Sequence, residues 1–183
     1  MSKDPRIGRT REVVLEAASE LLLDVGCERL TIDEVADRSG VARSTIYRNW
    51  GDRSTLIVDA LDCVAAMPEP PDTGTLAGDL EIMAERLATN LTEGTLGRIL
   101  PSMVSAASSD SELRSRLEKL AEGRFNQTKV VFERAIVRGE IGNADVEGRV
   151  ERFTAPFFSR LLLHGWPIDQ AFRDGQVEAA IRP

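Results

Sequence analysis

From Thr10 onward, apolar and polar residues alternate with the period of a helix. Val14, Ala17, Ala18, Leu21, Leu22 and Val25 recur at i, i+3, i+4 and i+7, the spacing of one buried helix face. Gly26 should end this helix, because glycine tolerates the left-handed backbone that closes one. Thr31-Ile-Asp-Glu34 then reads as a capping box: the threonine hydroxyl accepts from the Glu34 N–H while the Glu34 carboxylate reaches back. The helix it opens is short, with Ile32, Val35 and Ala36 facing inward, and Ser39-Gly40 breaks it. A second short helix follows from about Ala42 to Trp50, with Val41 anchoring its start and Ile46 and Trp50 facing the core. Gly51-Asp52 closes that helix and caps the next, from about Arg53 to Met67, whose inward stripe is Leu56, Ile57, Ala60, Leu61 and Val64.

The stretch MPEPPDTGT, Met67 to Thr75, is rich in proline and marks a boundary. Helical patterning resumes beyond it, in segments near 76–92, 96–108, 111–138, 145–164 and 168–181. No strand-like alternation, internal repeat or low-complexity tract is present. The fold class predicted is all-α: a three-helix N-terminal domain over residues 9–67, then a larger helical domain over 68–183. In the second domain Val146, Val150, Phe153, Phe157 and Leu161 form a stripe that Phe158 and Leu162 widen. A stripe this broad calls for more than one burial partner, and a homodimer is the expected solution, with monomer core as the alternative. Pro156 should kink or interrupt the helix that carries it.

Composition narrows the function classes. Hydrophobic residues at 42% and charged residues at 29% describe a globular chain, not a disordered one. No apolar run approaches the ~20 residues of a membrane span, and the polar, basic MSKDPRIGRTR is no secretory signal, so the cytoplasm is the expected location. Cys27 and Cys63 lie far apart without metal-ligand neighbours and read as free thiols, with a disulfide or redox switch as the alternative. With one histidine, no CxxC pair, no G-x-S-x-G elbow and no phosphate-binding glycine loop, neither catalysis nor a metal or other cofactor is expected.

The net charge of −7 argues against a generic nucleic-acid coat, yet the charge is unevenly placed. Arg38, Arg43, Arg48 and Arg53 face a single acid, Asp52, within one segment, and Lys3, Arg6, Arg9 and Arg11 face only Asp4 in another. Two short helices joined by a glycine-containing turn, about residues 31–50, have the pattern of a helix-turn-helix, whose second helix enters the major groove. With Ile46 and Trp50 inward, its outward face is Arg43, Ser44, Tyr47 and Arg48. All four can hydrogen-bond to base edges or phosphates. Arg53 adds charge near a helix N-terminus.

From about Thr10 to Val64 the chain resembles the DNA-binding domain of the tetracycline-repressor (TetR) family of bacterial transcription regulators. The residues carrying the resemblance are the Ala17-Ala18 helix ending at Gly26 and the run LTIDEVADRSGVARSTIYRNWGDRSTL. The resemblance implies roles residue by residue. Thr31 matches the position that caps the second helix and often contacts phosphate. Arg43, Ser44 and Arg48 match positions that read bases. Thr45, Tyr47 and Asn49 match largely phosphate-binding positions, with Asn49 where histidine is more usual. Trp50 stands for the commoner phenylalanine, and Arg53 for the usual lysine. Arg6, Arg9 and Arg11 would form a basic arm at the minor groove or backbone.

Beyond Pro68 the likeness is weaker, though ERAIVRGEIGNADVEGRVERFTAPFFSRLLLHGWPID looks like one TetR C-terminal subtype, in which the last long helices form a four-helix bundle across a two-fold axis. The family also implies a pocket for an unknown small-molecule effector, for which Met83, Leu87, Leu100, Met103, Phe125 and Phe158 are candidates, each also a candidate for ordinary core. His164 reads as a helix-terminus residue interacting with the C-terminal dipole. The function expected is a ligand-responsive homodimeric repressor on a palindromic double-stranded DNA operator. The alternative is a helical small-molecule-binding or scaffold protein without DNA binding, which the basic face disfavours.

Overall fold

A computed structural model describes residues 5–64, 68–142 and 145–182, and of residues 5–8 and 64 the backbone alone. Lys3, Asp4 and Met67 and the side chains of Arg6 and Val64 therefore lie outside the described residues. Among those described, nine α-helices and one π-helical turn occur and no β-strand: α1 Pro5–Arg29, α2 Ile32–Ser39, α3 Arg43–Trp50, α4 Arg53–Val64, α5 Leu76–Thr92, α6 Thr95–Ala107, α7 Ser111–Val137, α8 Val146–Ser159, the π-turn Arg160–His164, and α9 Gln170–Ile181. The all-α expectation holds.

The chain makes two compact units. One joins α1–α4 with Arg98–Lys119, and the other joins Met67–Gly97 with the chain from Leu120 onward. In the first, α1 packs on α2 and α4. Val14, Ala17, Ala18, Leu21 and Leu22 are buried there, as are Val35, Ile46, Trp50, Leu56, Ile57, Ala60 and Leu61; Val25 and Val41 are only half-buried. Helix α1 begins at Pro5, earlier than the pattern suggests, and proline suits a first helical turn. Its regular course breaks at Gly26, with φ 78° and ψ 174°. A side chain could not follow glycine there, because an added Cβ would sit 2.9 Å from Ser102 Cβ and Oγ.

In the second unit α5 and α8 pack on α9 and on each other. Val146, Val150, Phe153 and Phe157 are buried in this unit's own core with Leu80, Phe132 and Val177. The stripe thus finds its burial within one chain. What stays uncovered is Leu162, at the widened edge of the stripe, and beyond it Leu163 at 79% exposure and Trp166 at 58%. Helix α8 continues through Pro156 without the expected interruption, and the irregularity falls later, in the π-turn. A mid-helix proline removes one backbone hydrogen bond. Phe153 and Phe157, with ring centroids 5.9 Å apart, and the edge-on contact of Phe157 with Phe172 at 5.0 Å hold the helix on both sides of that gap. His164 ends the π-turn with Nδ1 3.1 Å from the Ser159 carbonyl oxygen.

Candidate nucleic-acid interface and ligand cavity

The short helices owe their placement to their ends. Thr31 is extended; its Oγ1 accepts from the Glu34 N–H at 3.2 Å, and its own N–H donates to the Glu34 carboxylate at 3.0 Å. Gly40, at φ 68° and ψ 13°, ends α2 in the left-handed conformation and turns the chain toward α3. Helix α3 is one amphipathic segment of eight residues, with Ile46 fully buried and Trp50 nearly so. The Trp50 indole N–H donates to Asp59 of α4 at 2.8 Å, and Arg11 of α1 holds the same carboxylate at 2.5 Å while its guanidinium lies 5.4 Å from the indole ring centre. This three-helix clamp fixes the rotation of α3.

With that face locked inward, Arg43, Ser44, Tyr47, Arg48 and Asn49 are exposed and Thr45 is half-buried. Tyr47 is 51% exposed, high for an aromatic side chain in a folded domain. Arg43 lies 3.0 Å from Asp33, but both partners are more than half exposed. Such a pair is worth ~0–1 kcal/mol and leaves the guanidinium available. Asn49 donates to the Thr45 carbonyl at 2.8 Å, a local bond on its own helix. Thr31, Asp33, Tyr47 and Arg53 also line a shallow hollow beside α3.

Arg53 and Arg11, both assigned to DNA contact by resemblance, have partners within the protein. Arg53 is half-buried and caps the end of α1: its guanidinium donates to the carbonyls of Leu30 at 2.6 Å and Glu28 at 3.0 Å, and also to that of Cys27. A cation at a helix C-terminus satisfies both the orphan carbonyls and the dipole. Arg11, grouped with a basic arm by resemblance, belongs to the clamp on Trp50, and Arg9 is exposed on α1. Asp59 and the Trp50 indole N–H escaped the sequence reading; a tryptophan at a buried position, which needs an acceptor, was the available signal. Cys27 is buried, and that burial pushes its thiol above the ordinary value; Cys63 is exposed, and both are free.

The second unit contains a cavity of about 280 Å³. Met83, Leu87, Phe125 and Phe158 line it, and all are half-buried. Leu100 and Met103 do not: they are buried core residues of the first unit, at 7% and 1% exposure. The apolar pattern of α6 could not separate core from cavity, since both call for the same side chains. Pro68, Pro70 and Pro71, read as a boundary, form part of the cavity wall, and Arg86 donates to the Glu69 carbonyl there at 3.0 Å. Arg124, Gln127 and Asn90 also face the cavity and were not foreseen. Among the described residues there is no cluster of His, Cys, Asp and Glu able to hold a metal, and no helix long and apolar enough to cross a membrane.

Residues 14–60 match the profile of bacterial regulatory proteins of the tetR family, and residues 70–180 match a tetracyclin repressor-like C-terminal domain. The chain is 31% identical over 171 residues to the HTH-type transcriptional regulator YdeS of Bacillus subtilis, covering 92% of this chain and 86% of the relative. It is 31% identical over 170 residues to the DNA-binding transcriptional repressor TetR of Mycobacteroides abscessus, covering 90% and 88%. The crystal structure of the TetR family transcription regulator SCO0332 superimposes with a TM-score of 0.72 at 30% identity, covering 94% of this chain and 96% of that one.

Proposed function

The chain belongs to the TetR family and is a DNA-binding transcriptional regulator, and from that premise we propose that it is a ligand-responsive homodimeric repressor acting on a palindromic operator in the cytoplasm. The observation that supports the DNA-reading role of α3 is its division into two faces. Ile46 and Trp50 are anchored inward, and Arg43, Ser44, Tyr47 and Arg48 are left outward with hydrogen-bonding groups free to reach a duplex. In this reading Arg43, Ser44 and Arg48 contact base edges, where arginine can fork onto guanine O6 and N7. Thr45, Tyr47 and Asn49 take phosphates and set register, with Thr31 and Arg9 at the flanks. Arg53 contributes by holding the end of α1, from which α2 departs.

TetR-family regulators bind DNA operators and small-molecule effectors, usually as dimers. For this chain the exposed Leu163 and Trp166 beyond α8 favour a partner surface in the second unit, and a second copy places two α3 helices on half-sites ~34 Å apart or a multiple of it. The 280 Å³ cavity supports an effector site. An effector that binds better to the arrangement in which the two α3 helices no longer match successive grooves would shift the population off DNA.

Selection of bound fragments from a random duplex library tests this directly. A palindromic sequence with two half-sites is expected, bound with an affinity that falls steeply as salt rises. Absence of any duplex binding in dilute buffer would return the protein to the scaffold reading. Sedimentation at micromolar concentration tests the dimer, and Trp166→Asp should shift it toward monomer.

A further inference from the structure

The cavity in the second unit has one feature that ordinary core does not explain. Its walls are apolar on most sides, with Met83, Leu87, Phe125, Phe153 and Phe158, and Arg124 of α7 faces the same space. Arg124 is half-buried, and among the described residues no carboxylate pairs with its guanidinium and no side chain or carbonyl accepts from it. Contrast Arg134 and Arg149 of the same unit, whose guanidiniums donate to the carbonyls of Pro71 and Ala180. Arg124 thus loses part of its hydration without a protein hydrogen bond to replace it. Burial alone pulls its guanidinium below the ordinary value. The cavity lining carries two guanidiniums, Arg86 and Arg124, against one carboxylate, Glu69, so it favours negative charge. The side-chain amides of Asn90 and Gln127 add donors without partners among the described residues.

We propose that the effector is an organic anion with an apolar body, its carboxylate or equivalent acidic group seated on Arg124 and its body between Phe125, Phe158, Met83 and Leu87. This deepens the effector reading above and rests on it. A volume of 280 Å³ equals about nine waters at ~30 Å³ each, room for a body of roughly ten non-hydrogen atoms. Arginine suits the role because its planar fork meets a carboxylate with two parallel bonds, and charge-assisted bonds in a desolvated site are strong.

The test uses straight-chain carboxylates from hexanoate to dodecanoate, with the matching primary alcohols and alkyltrimethylammonium ions as probes, on the intact purified protein by titration calorimetry. One or more carboxylates should bind at least about tenfold more tightly than the alcohol of equal length, and the cationic probes more weakly still. Arg124→Met, which keeps the stem and removes the charge, should abolish that preference while leaving alcohol binding within about twofold. Arg124→Lys should restore much of it. Equal binding of acids and alcohols, a preference for cations, failure of every carboxylate to bind, or a preference that survives Arg124→Met would each overturn the proposal. If Arg124→Met does not fold, the ranking of acids against alcohols on the unmodified protein decides alone. Release of the selected duplex is measured separately. Carboxylate binding through Arg124 without release upholds the ligand class and refutes the effector role, whereas release by neutral or cationic compounds alone refutes the class.

Discussion

The indole N–H of Trp50 donates to the Asp59 carboxylate at 2.8 Å, and the Arg11 guanidinium closes on the same carboxylate from α1. This bond fixes which face of α3 looks outward, so it should be needed for both stability and DNA reading. Asp59→Ala strands a nearly buried indole donor and should cost ~1–3 kcal/mol in urea denaturation. Arg11→Ala removes the more exposed partner and should cost under ~1 kcal/mol. Equal losses from the two substitutions would show that the carboxylate serves the arginine, not the indole.

Arg53 caps the carbonyls at the end of α1. Hydrogen bonds from a charged donor are worth ~1.5–3 kcal/mol, so Arg53→Ala should lower folding stability by that amount, and Arg53→Lys should recover part of it. If Arg53→Ala proves neutral in thermal denaturation yet weakens DNA binding, the residue acts on phosphate and not on α1.

Arg43 and Tyr47 separate base reading from backbone contact. In gel-shift series, Arg43→Ala should cost ~1–3 kcal/mol on the preferred sequence and flatten discrimination at one base pair. Tyr47→Phe should weaken all sequences alike. Asp33 holds Arg43 at 3.0 Å and repels phosphate, so Asp33→Asn should tighten DNA binding by a few-fold, most clearly at low salt. An unchanged base preference in Arg43→Ala would assign the reading to Ser44 and Arg48.

Asp110 links the start of α7 to α4. It accepts from the Ser54 hydroxyl at 2.6 Å and from the N–H groups of Glu112 and Leu113 at 2.9 and 3.0 Å. The Ser54 bond, followed by the backbone bond from Leu113, holds its carboxyl below the ordinary value. A carboxyl depressed in the folded state contributes stability in full above its unfolded value of ~3.9 and loses it as pH falls through the lower folded value. Asp110→Ala should therefore cost ~1–2 kcal/mol at pH 7 as a lost cap, with the gap to the parent protein narrowing below pH ~4. A gap independent of pH would assign the loss to packing alone.

The legible parts of this protein were local ones. The capping box at Thr31 and Glu34, the break at Gly26, the left-handed Gly40 and the inward Ile46 and Trp50 all follow from residues within a turn or two of each other. Helix α5 runs over the residues that its period indicated. The outward set on α3 was legible for the same reason, because fixing two inward positions of an eight-residue helix fixes the rest. Met83, Leu87, Phe125 and Phe158 line the cavity, whereas Leu100 and Met103, with the same apolar spacing, are core residues of the first unit.

By itself the amino-acid order determined the all-α class, the Thr31–Glu34 capping box, the inward and outward faces of α3, and the family. Only the tertiary structure decided that Arg53 holds the end of α1, that Asp59 receives both Trp50 and Arg11, that the Val146–Phe157 stripe is covered within one chain, and that Arg124 faces an apolar cavity with no acceptor among the described residues. The reason is range. Helical period and capping act over three or four residues, whereas the partner of a guanidinium or an indole lies wherever packing brings an acceptor. Arginine 53 reaches a carbonyl 23 positions away in the chain, and nothing in the spacing of the sequence marks that distance.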